Sequence, residues 1–272
     1  MAHGSPAPVM VGREDELALV TALLERGRER GDALLLQGEP GIGKSALAAV
    51  AADRARGLGA TVLTTTGVPS EADLPYACLH QLLAPVMDQA AGLSGGHRSA
   101  LDHALGAAED VRAVDTYRAG LAVLDLLGDV AERAPVVVVA EDAHWLDAPT
   151  CDVLAFVARR IEADPVAMLI TSRDEVPPSL RGAGLPTRRL APLTADAADA
   201  LLHALDPGLP PAARRRVLDQ AAGNPLGLVE LLSEAARGED SASSARLPLT
   251  TRLERTFAAR FADLPDETRM AV

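Results

Sequence analysis

The stretch that decides the fold lies at residues 38–45 and reads GEPGIGKS. It fits the pattern G-x-x-x-x-G-K-[ST], in which glycine-rich backbone N–H groups cradle a phosphate and the lysine reaches its outer oxygens. Lys44 is the only lysine in a chain whose Lys and Arg residues together number 26. A compact ammonium fits between two phosphates, where a planar guanidinium fits badly. The alternative is an ordinary Gly/Pro turn between a strand and a helix.

The residues on both sides of this loop favour the phosphate interpretation, because such a loop joins a buried strand to a helix. Before it, residues 33–37 (ALLLQ) form a short apolar run that is typical of a buried parallel strand. After it, residues 45–56 are rich in Ala, which favours a helix. That helix would bring its positive dipole end to the anion, and the hydroxyl of Ser45 could bind Mg²⁺.

Strands and helices alternate through the first two thirds of the chain, which predicts an α/β domain with a parallel sheet. We predict a five-stranded sheet with helices on both faces, with strands at 32–37, 61–66, 136–140, 166–171 and 187–190. After Pro192 three helices follow without intervening strands, which predicts a small helical subdomain. The predicted boundaries are 1–191 for the α/β domain, 192–238 for the helical subdomain, 239–249 for a polar linker and 250–272 for a further region.

Composition and charge limit the partners that the chain can have. Hydrophobic residues make up 48% and aromatic residues 2%, so the core is expected to be aliphatic. The net charge of −12 argues against binding nucleic acid through a basic face. Cys78 and Cys151 form no C-x-x-C pair, which fits a reducing compartment. The sequence shows neither a signal peptide nor an apolar run of the ~20 residues that a membrane span needs, so we predict a cytoplasmic protein.

Polar residues follow two of the predicted strands. Residues 136–140 (VVVVA) are followed by Glu141 and Asp142, and a phosphate site needs carboxylates at such a position to hold Mg²⁺ and to orient water. The alternative is a solvated acidic turn. The strand at 166–171 leads to Arg173, which could sense the γ-phosphate from the same edge of the sheet. For Arg173 the alternative is an ordinary surface arginine.

Five motifs occur in a fixed order: VGRE at 11–14, GEPGIGKS at 38–45, VVVVAEDAHWLD at 136–147, LITSR at 169–173 and GNPL at 223–226. From the residues alone, the first and last are only a loop and a helix start with a proline in its first turn. Together the five resemble the nucleotide-binding module of STAND-type AAA+-like P-loop ATPases. They are most similar to the N-terminal ATPase domain of the large ATP-binding LuxR-family transcriptional regulators of bacteria.

The resemblance implies a P-loop NTPase fold of the AAA+/STAND kind, with the helical subdomain as a lid, and ATP or ADP with Mg²⁺ as cofactors. It implies a metal site formed by Ser45, Glu141 and Asp142, and a catalytic set formed by Asp142, Glu141 and Arg173. The residues implied to bind the nucleotide are Val11, Gly12, Arg13, Gly38, Glu39, Pro40, Gly41, Ile42, Gly43, Lys44, Ser45 and Pro225. Glu141 stands where such ATPases usually carry Asp, which leaves open which carboxylate serves the metal.

The function that the resemblance implies is a regulatory switch that binds ATP and ADP and hydrolyses ATP slowly. Slow hydrolysis is expected because no arginine stands at an obvious finger position, and such a cation accelerates hydrolysis by several orders of magnitude. The alternative is a turnover enzyme, either an AAA+-type motor or loader or a small-molecule kinase. A third possibility is a module that binds nucleotide without hydrolysis, against which the intact Lys44, Ser45 and Asp142 argue.

The resemblance also implies partners and a continuation of the chain. Self-association is expected in the intact protein, and DNA binding is expected only through a C-terminal domain that is absent here. Residues 250–272 would be the start of a winged-helix-like region. The last predicted helix begins near Asp266 and the sequence stops at Val272, so we expect a part of a longer regulator.

Overall fold

The computed structural model describes residues 10–106 and 115–236. Within them the chain forms two compact units. The first contains residues 13–39, 44–106 and 115–190, and the second contains residues 10–12, 40–43 and 191–236. Sequence reasoning placed residues 10–12 and 40–43 in the first domain. The predicted linker at 239–249 and the region at 250–272 lie outside the described residues.

The first unit is built on a five-stranded sheet in the order β2-β3-β4-β1-β5. All the pairings are parallel. The strands are β1 Asp32–Gln37, β2 Thr61–Thr66, β3 Val136–Glu141, β4 Val166–Ser172 and β5 Thr187–Arg189. The predicted parallel five-stranded sheet is therefore confirmed.

Helices connect these strands in the first unit and make up most of the second. The helices of the first unit are α1 Glu14–Arg26, α2 Lys44–Gly57, α3 Ala77–Leu83, α4 Gly95–Ala104, α5 Thr116–Ala131, α6 Ala148–Ala158 and α7 Pro178–Gly182. Those of the second unit are α8 Ala195–Leu205, α9 Pro211–Ala221 and α10 Pro225–Ala236. Short 3₁₀ helices lie at Ala84–Gly92, Ala143–Trp145 and Ile161–Ala163.

Apolar side chains cover both faces of the sheet, which explains why the central strands are apolar almost throughout. Leu35, Val138 and Met168 belong to one buried cluster together with Leu126 of α5 and Leu154 of α6. Their neighbours along each strand point to the opposite face. On that side α1 and α2 contact the sheet and each other.

The second unit has an apolar core of its own. Leu202, Val217 and Leu228, one from each of its helices, are buried together. The hydroxyl of Thr194 caps α8 by accepting a hydrogen bond from the N–H of Ala197 at 3.3 Å. In both units, no helix among the described residues is long and apolar enough to cross a membrane.

Candidate functional site

The strand order brings three of the sequence motifs to one edge of the sheet. β4 pairs with β1 on one side and with β3 on the other, so the carboxyl ends of the three strands are neighbours. Gln37 of β1 pairs with Ser172 of β4, and Ala140 of β3 pairs with Ile170. Residues 38–45 leave this edge between β1 and α2, and the acidic pair follows β3. The end of a parallel sheet is where ligands of open α/β folds bind.

The loop at residues 38–45 has the backbone geometry of a phosphate cradle. Gly41 has φ of 75° and Gly43 has φ of 106°, values that residues with a side chain rarely adopt. α2 begins at Lys44, directly after the second of these glycines. The loop therefore leads directly into the N-terminus of a helix, and the positive end of the helix dipole favours binding of an anion.

Lys44 is buried, with 6% of its surface exposed. Its Nζ donates hydrogen bonds to the carbonyl oxygens of Gly38 and Glu39, each at 2.9 Å. Burial lowers the pKa of Lys44, the nearby charge of Asp142 opposes this, and the charge of Arg173 lowers the pKa further. The ammonium therefore lies within electrostatic reach of both the acidic pair and Arg173.

Ser45 connects the loop to the acidic pair. Its hydroxyl lies close enough to the carboxyl group of Glu141, the last residue of β3, to lower the pKa of that group by hydrogen bonding. Burial raises the pKa of Glu141, the hydrogen bond from Ser45 lowers it, and the neighbouring charge of Asp142 raises it. The structure thus brings Ser45 of the loop close to Glu141.

Asp142 has an unusual backbone conformation. Its φ and ψ are both 49°, in the left-handed region. This conformation costs a residue other than glycine of order 1 kcal/mol and persists only where the surrounding structure holds it. Its N–H donates to the hydroxyl oxygen of Thr171 at 3.1 Å, and Thr171 is fully buried at the end of β4. The turn after β3 is therefore fixed to the neighbouring strand, a link that the sequence analysis did not identify.

Arg173 is linked to the same turn through His144. Its N–H donates to Nδ1 of His144 at 3.4 Å. Burial lowers the pKa of His144, while Asp142 opposes this effect and Arg173 and Lys44 add to it. The charges of Lys44, Asp142 and Arg173 are therefore close to one another. Such clusters of interacting charged groups are common at functional sites.

The four residues of the implied nucleotide site that lie outside the loop are divided between the units. Val11, Gly12 and Pro225 belong to the second unit, whereas Arg13 belongs to the first. Gly12 has φ of 67°, and a Cβ there would collide with Cβ of Ala197. Arg13 is 6% exposed, and burial lowers its pKa.

The second unit contains a polar residue that sequence reasoning passed over. Asn224 is 5% exposed, and its Nδ2 donates to the carbonyl oxygen of Pro40 at 2.9 Å. Its Oδ1 accepts from the N–H of Leu226 at 3.1 Å and of Gly227 at 3.2 Å. The available signal was an asparagine directly before a proline at a helix start, which is typical of a helix cap.

A second overlooked residue is Asp147, at the end of the motif that begins with β3. It is 1% exposed, and its carboxylate accepts hydrogen bonds from the N–H groups of Tyr76, Cys78 and Thr150 and from the Thr150 hydroxyl. The carboxylate thus caps α6 and also holds the start of α3. The signal was an acidic residue before Ala-Pro-Thr, an N-cap pattern.

The fold is shared with solved structures of other proteins. Cdc6p from Pyrobaculum aerophilum superposes with a TM-score of 0.57 at 16% identity, over 87% of this chain and 65% of that chain. A STAND protein with a tetratricopeptide repeat sensor from Pyrococcus horikoshii superposes with a TM-score of 0.52 at 19% identity, over 87% of this chain and 34% of that chain. At these identities the likeness concerns the fold.

A relative at the sequence level is an uncharacterized protein of Rhizobium meliloti (strain 1021). It is 30% identical over 224 residues, which cover 72% of this chain and 22% of the relative. The chain therefore spans about a fifth of the length of the curated relative that it matches.

Residues 9–170, more than half of the chain, match the family described as AAA ATPase domain. The match contains the glycine-rich loop with Lys44 and Ser45, the acidic pair after β3, and β4 up to Ile170. It therefore covers the loop and the acidic pair at this edge of the sheet, and it ends before Arg173. The chain belongs to the family of AAA ATPase domains.

Proposed function

We propose that this chain is an ATP- and ADP-binding switch module with slow, Mg²⁺-dependent ATP hydrolysis, and that it comes from a LuxR-type transcriptional regulator. The observation that carries the proposal is the convergence of Lys44, Arg173 and the two carboxylates of residues 141 and 142 at one edge of the sheet. A site with two cations and two carboxylates suits a phosphate chain together with a divalent metal.

Lys44 is the proposed phosphate ligand. Its ammonium donates to the carbonyls of Gly38 and Glu39, which lie in the loop itself. Bound phosphate would compete for these donated hydrogen bonds, and a charged acceptor is favoured over a neutral carbonyl. The backbone N–H groups of the loop and the start of α2 add further donors to the phosphate.

The residues at the acidic pair fit Mg²⁺. The metal prefers oxygen ligands and is usually held by one or two carboxylates, waters and substrate phosphates. The hydroxyl of Ser45 lies close enough to Glu141 to lower the pKa of its carboxyl group, so the two side chains could serve one ion or a water that it holds. We therefore assign Ser45 and Glu141 to the metal, with Asp142 beside them. When bound, Mg²⁺ would offset the negative charge of the phosphates.

Asp142 is the proposed base. Its left-handed backbone is held by the hydrogen bond from its N–H to the hydroxyl of Thr171. Asp142 would accept a proton from the attacking water, and Arg173 at the end of β4 would sense the γ-phosphate. None of the arginines is assigned the finger role that accelerates hydrolysis, so turnover is expected to be slow.

The rest of the proposal concerns the nucleoside and the intact protein. Val11, Gly12, Arg13 and Pro225 are proposed to contact adenine and ribose. Self-association and DNA binding are proposed for the intact regulator, with DNA bound by a domain outside this sequence. Its place would be the cytoplasm, which is supported by the two cysteines, both free and buried.

The experiment that tests the proposal starts with the purified chain. The protein is denatured, the released nucleotide is identified by chromatography, and ATP turnover is measured with and without Mg²⁺. We expect stoichiometric ADP and fewer than about one turnover per minute, as in P-loop switches without a finger. Lys44→Ala, purified in the same way, is expected to carry no nucleotide.

Two results would argue against the switch. A chain that turns over ATP many times a minute would favour the alternative, an AAA+-type motor or a small-molecule kinase, and would require a search for its substrate. Lys44→Ala protein that retains wild-type nucleotide content would refute the assignment of the site.

A further inference from the structure

Asn224 holds the middle of the phosphate-binding loop. We call residues 40–43 the loop crest, and they belong to the same compact unit as α8–α10. The side chain of Asn224 is 5% exposed. Its Nδ2 donates to the carbonyl oxygen of Pro40 at 2.9 Å, across a sequence separation of 184 residues. The N–H of Leu226 donates to the next crest carbonyl, that of Gly41, at 3.2 Å.

The same amide also caps a helix. Its Oδ1 accepts hydrogen bonds from the N–H groups of Leu226 and Gly227 in the first turn of α10. This pattern fixes the orientation of the amide, because a flipped Asn224 would point its NH₂ group at two donors and its oxygen at a carbonyl. One side chain therefore ties the crest to the start of α10.

Gly41 of the crest packs so closely against Asn224 and Leu226 that there is no room for a side chain at this position. A Cβ at Gly41 would be 2.7 Å from Cβ of Leu226 and 2.9 Å from Oδ1 of Asn224. On the other side of Asn224, Gly223 has φ of 78°, and its carbonyl accepts a hydrogen bond from the N–H of Leu193 at 2.8 Å. The turn that presents Asn224 is thus fixed at both ends.

We propose that Asn224 is a positioning residue for phosphate binding. Two consecutive crest carbonyls, those of Pro40 and Gly41, are held by donors at the start of α10. Carbonyl oxygens that faced a phosphate would repel it, and the hydrogen bonds from the start of α10 keep these two carbonyls occupied. The crest is then ordered before the nucleotide arrives, and binding does not have to order it. This inference rests on the proposed nucleotide-binding function.

The two roles of Asn224 can be separated by substitution. Asn224→Ser keeps an oxygen that can cap α10, but it removes the donor to Pro40. Thr194→Ala is the matched control, because it removes the cap of α8 in the same unit and leaves the crest contacts in place. If Asn224 acted only on helix stability, both substitutions would affect nucleotide binding alike.

The experiment measures the affinities of ADP and AMP for the full chain in Mg²⁺ by calorimetry, well below the unfolding temperature of each variant. Asn224→Ser is expected to weaken ADP binding about fivefold, as expected for one lost hydrogen bond, and to lower the ratio of ADP to AMP affinity. Thr194→Ala is expected to keep the wild-type affinities and ratio. An unchanged ratio in Asn224→Ser, with normal binding by the wild type, would overturn the role of Asn224. Absence of ADP binding by the wild type would instead refute the proposed function.

Discussion

Replacement of Asp147 by alanine should destabilise the first unit strongly. The carboxylate is 1% exposed and receives three backbone N–H groups, at 2.8 Å from Tyr76, 3.2 Å from Cys78 and 2.9 Å from Thr150. The Thr150 hydroxyl donates to it as well, at 2.7 Å. Alanine leaves the three N–H groups without their acceptor. Because the hydrogen bonds to Asp147 are buried, water does not easily replace the lost carboxylate.

The magnitude follows from the count of stranded donors. A buried donor that loses its partner costs about 1–3 kcal/mol, and the Thr150 hydroxyl can rotate to another acceptor. Three N–H groups at the lower end of that range give about 3 kcal/mol for Asp147→Ala. Asp147→Asn should cost about half as much, because one amide oxygen still accepts and the amide NH₂ can donate to the hydroxyl of Thr150. The order of the two variants follows directly from the geometry.

The assay is urea unfolding at 25 °C followed by the fluorescence of Trp145. This is the only tryptophan, and it lies in the first unit, two residues before Asp147. The control is Asp115→Ala, which removes an exposed cap of α5 with hydrogen bonds from Tyr117 and Arg118 and should cost about 1 kcal/mol. The reasoning is refuted if Asp147→Ala costs no more than this control, or if Asp147→Asn costs more than Asp147→Ala.

Lys44→Arg is expected to weaken ADP binding more than about tenfold in calorimetry, because a planar guanidinium must fit where the ammonium is buried; an unchanged affinity would contradict the phosphate role. Asp142→Asn should keep ATP binding within a few-fold and slow hydrolysis by about 100-fold or more, as measured by phosphate release, and an unchanged rate would move the base to Glu141 or elsewhere. Burial raises the pKa of the Cys151 thiol to about 12. Between pH ~9 and ~12 the folded thiol keeps its proton, whereas an unfolded thiol, with a pKa of 9.0, loses it. In this range the thiol therefore lowers the free energy of unfolding by about 1.4 kcal/mol for each unit of increase in pH. Cys151→Ala should therefore lose less stability than the wild type between pH 9 and 10.5 in urea unfolding, and parallel curves would count against it.

The sheet and the phosphate loop were predictable because their signals are local. The residues of β3, VVVVAE, strongly favour a buried strand. The spacing of the glycines before Lys44 is typical of a phosphate-binding loop. The order of the strands is not written in such patterns, since it depends on which strands pair after the helices fold back. The placement of β1 between β4 and β5 therefore had to come from the structure.

In the candidate site, local sequence patterns likewise do not show which side chains contact each other. Sequence reasoning identified the acidic pair but left open which member serves the metal, and the proximity of Ser45 to Glu141 depends on two motifs that are far apart in the sequence. The left-handed backbone of Asp142 depends on Thr171 in another strand. The role of Asn224 depends on a contact across 184 residues. Each is a long-range interaction between residue types that are ordinary in their local sequence.

The second unit is discontinuous in sequence, and this has a consequence for synthesis of the protein. Its residues come from three separate parts of the chain, 10–12, 40–43 and 191–236. A ribosome therefore completes all five strands, and the loop that contains Lys44, before it makes Asn224 and α10. During that interval the crest lacks the partners that hold its carbonyls, whatever the state of the sheet. A nascent chain of this protein should thus acquire its full affinity for nucleotide only after the start of α10 has left the ribosomal tunnel.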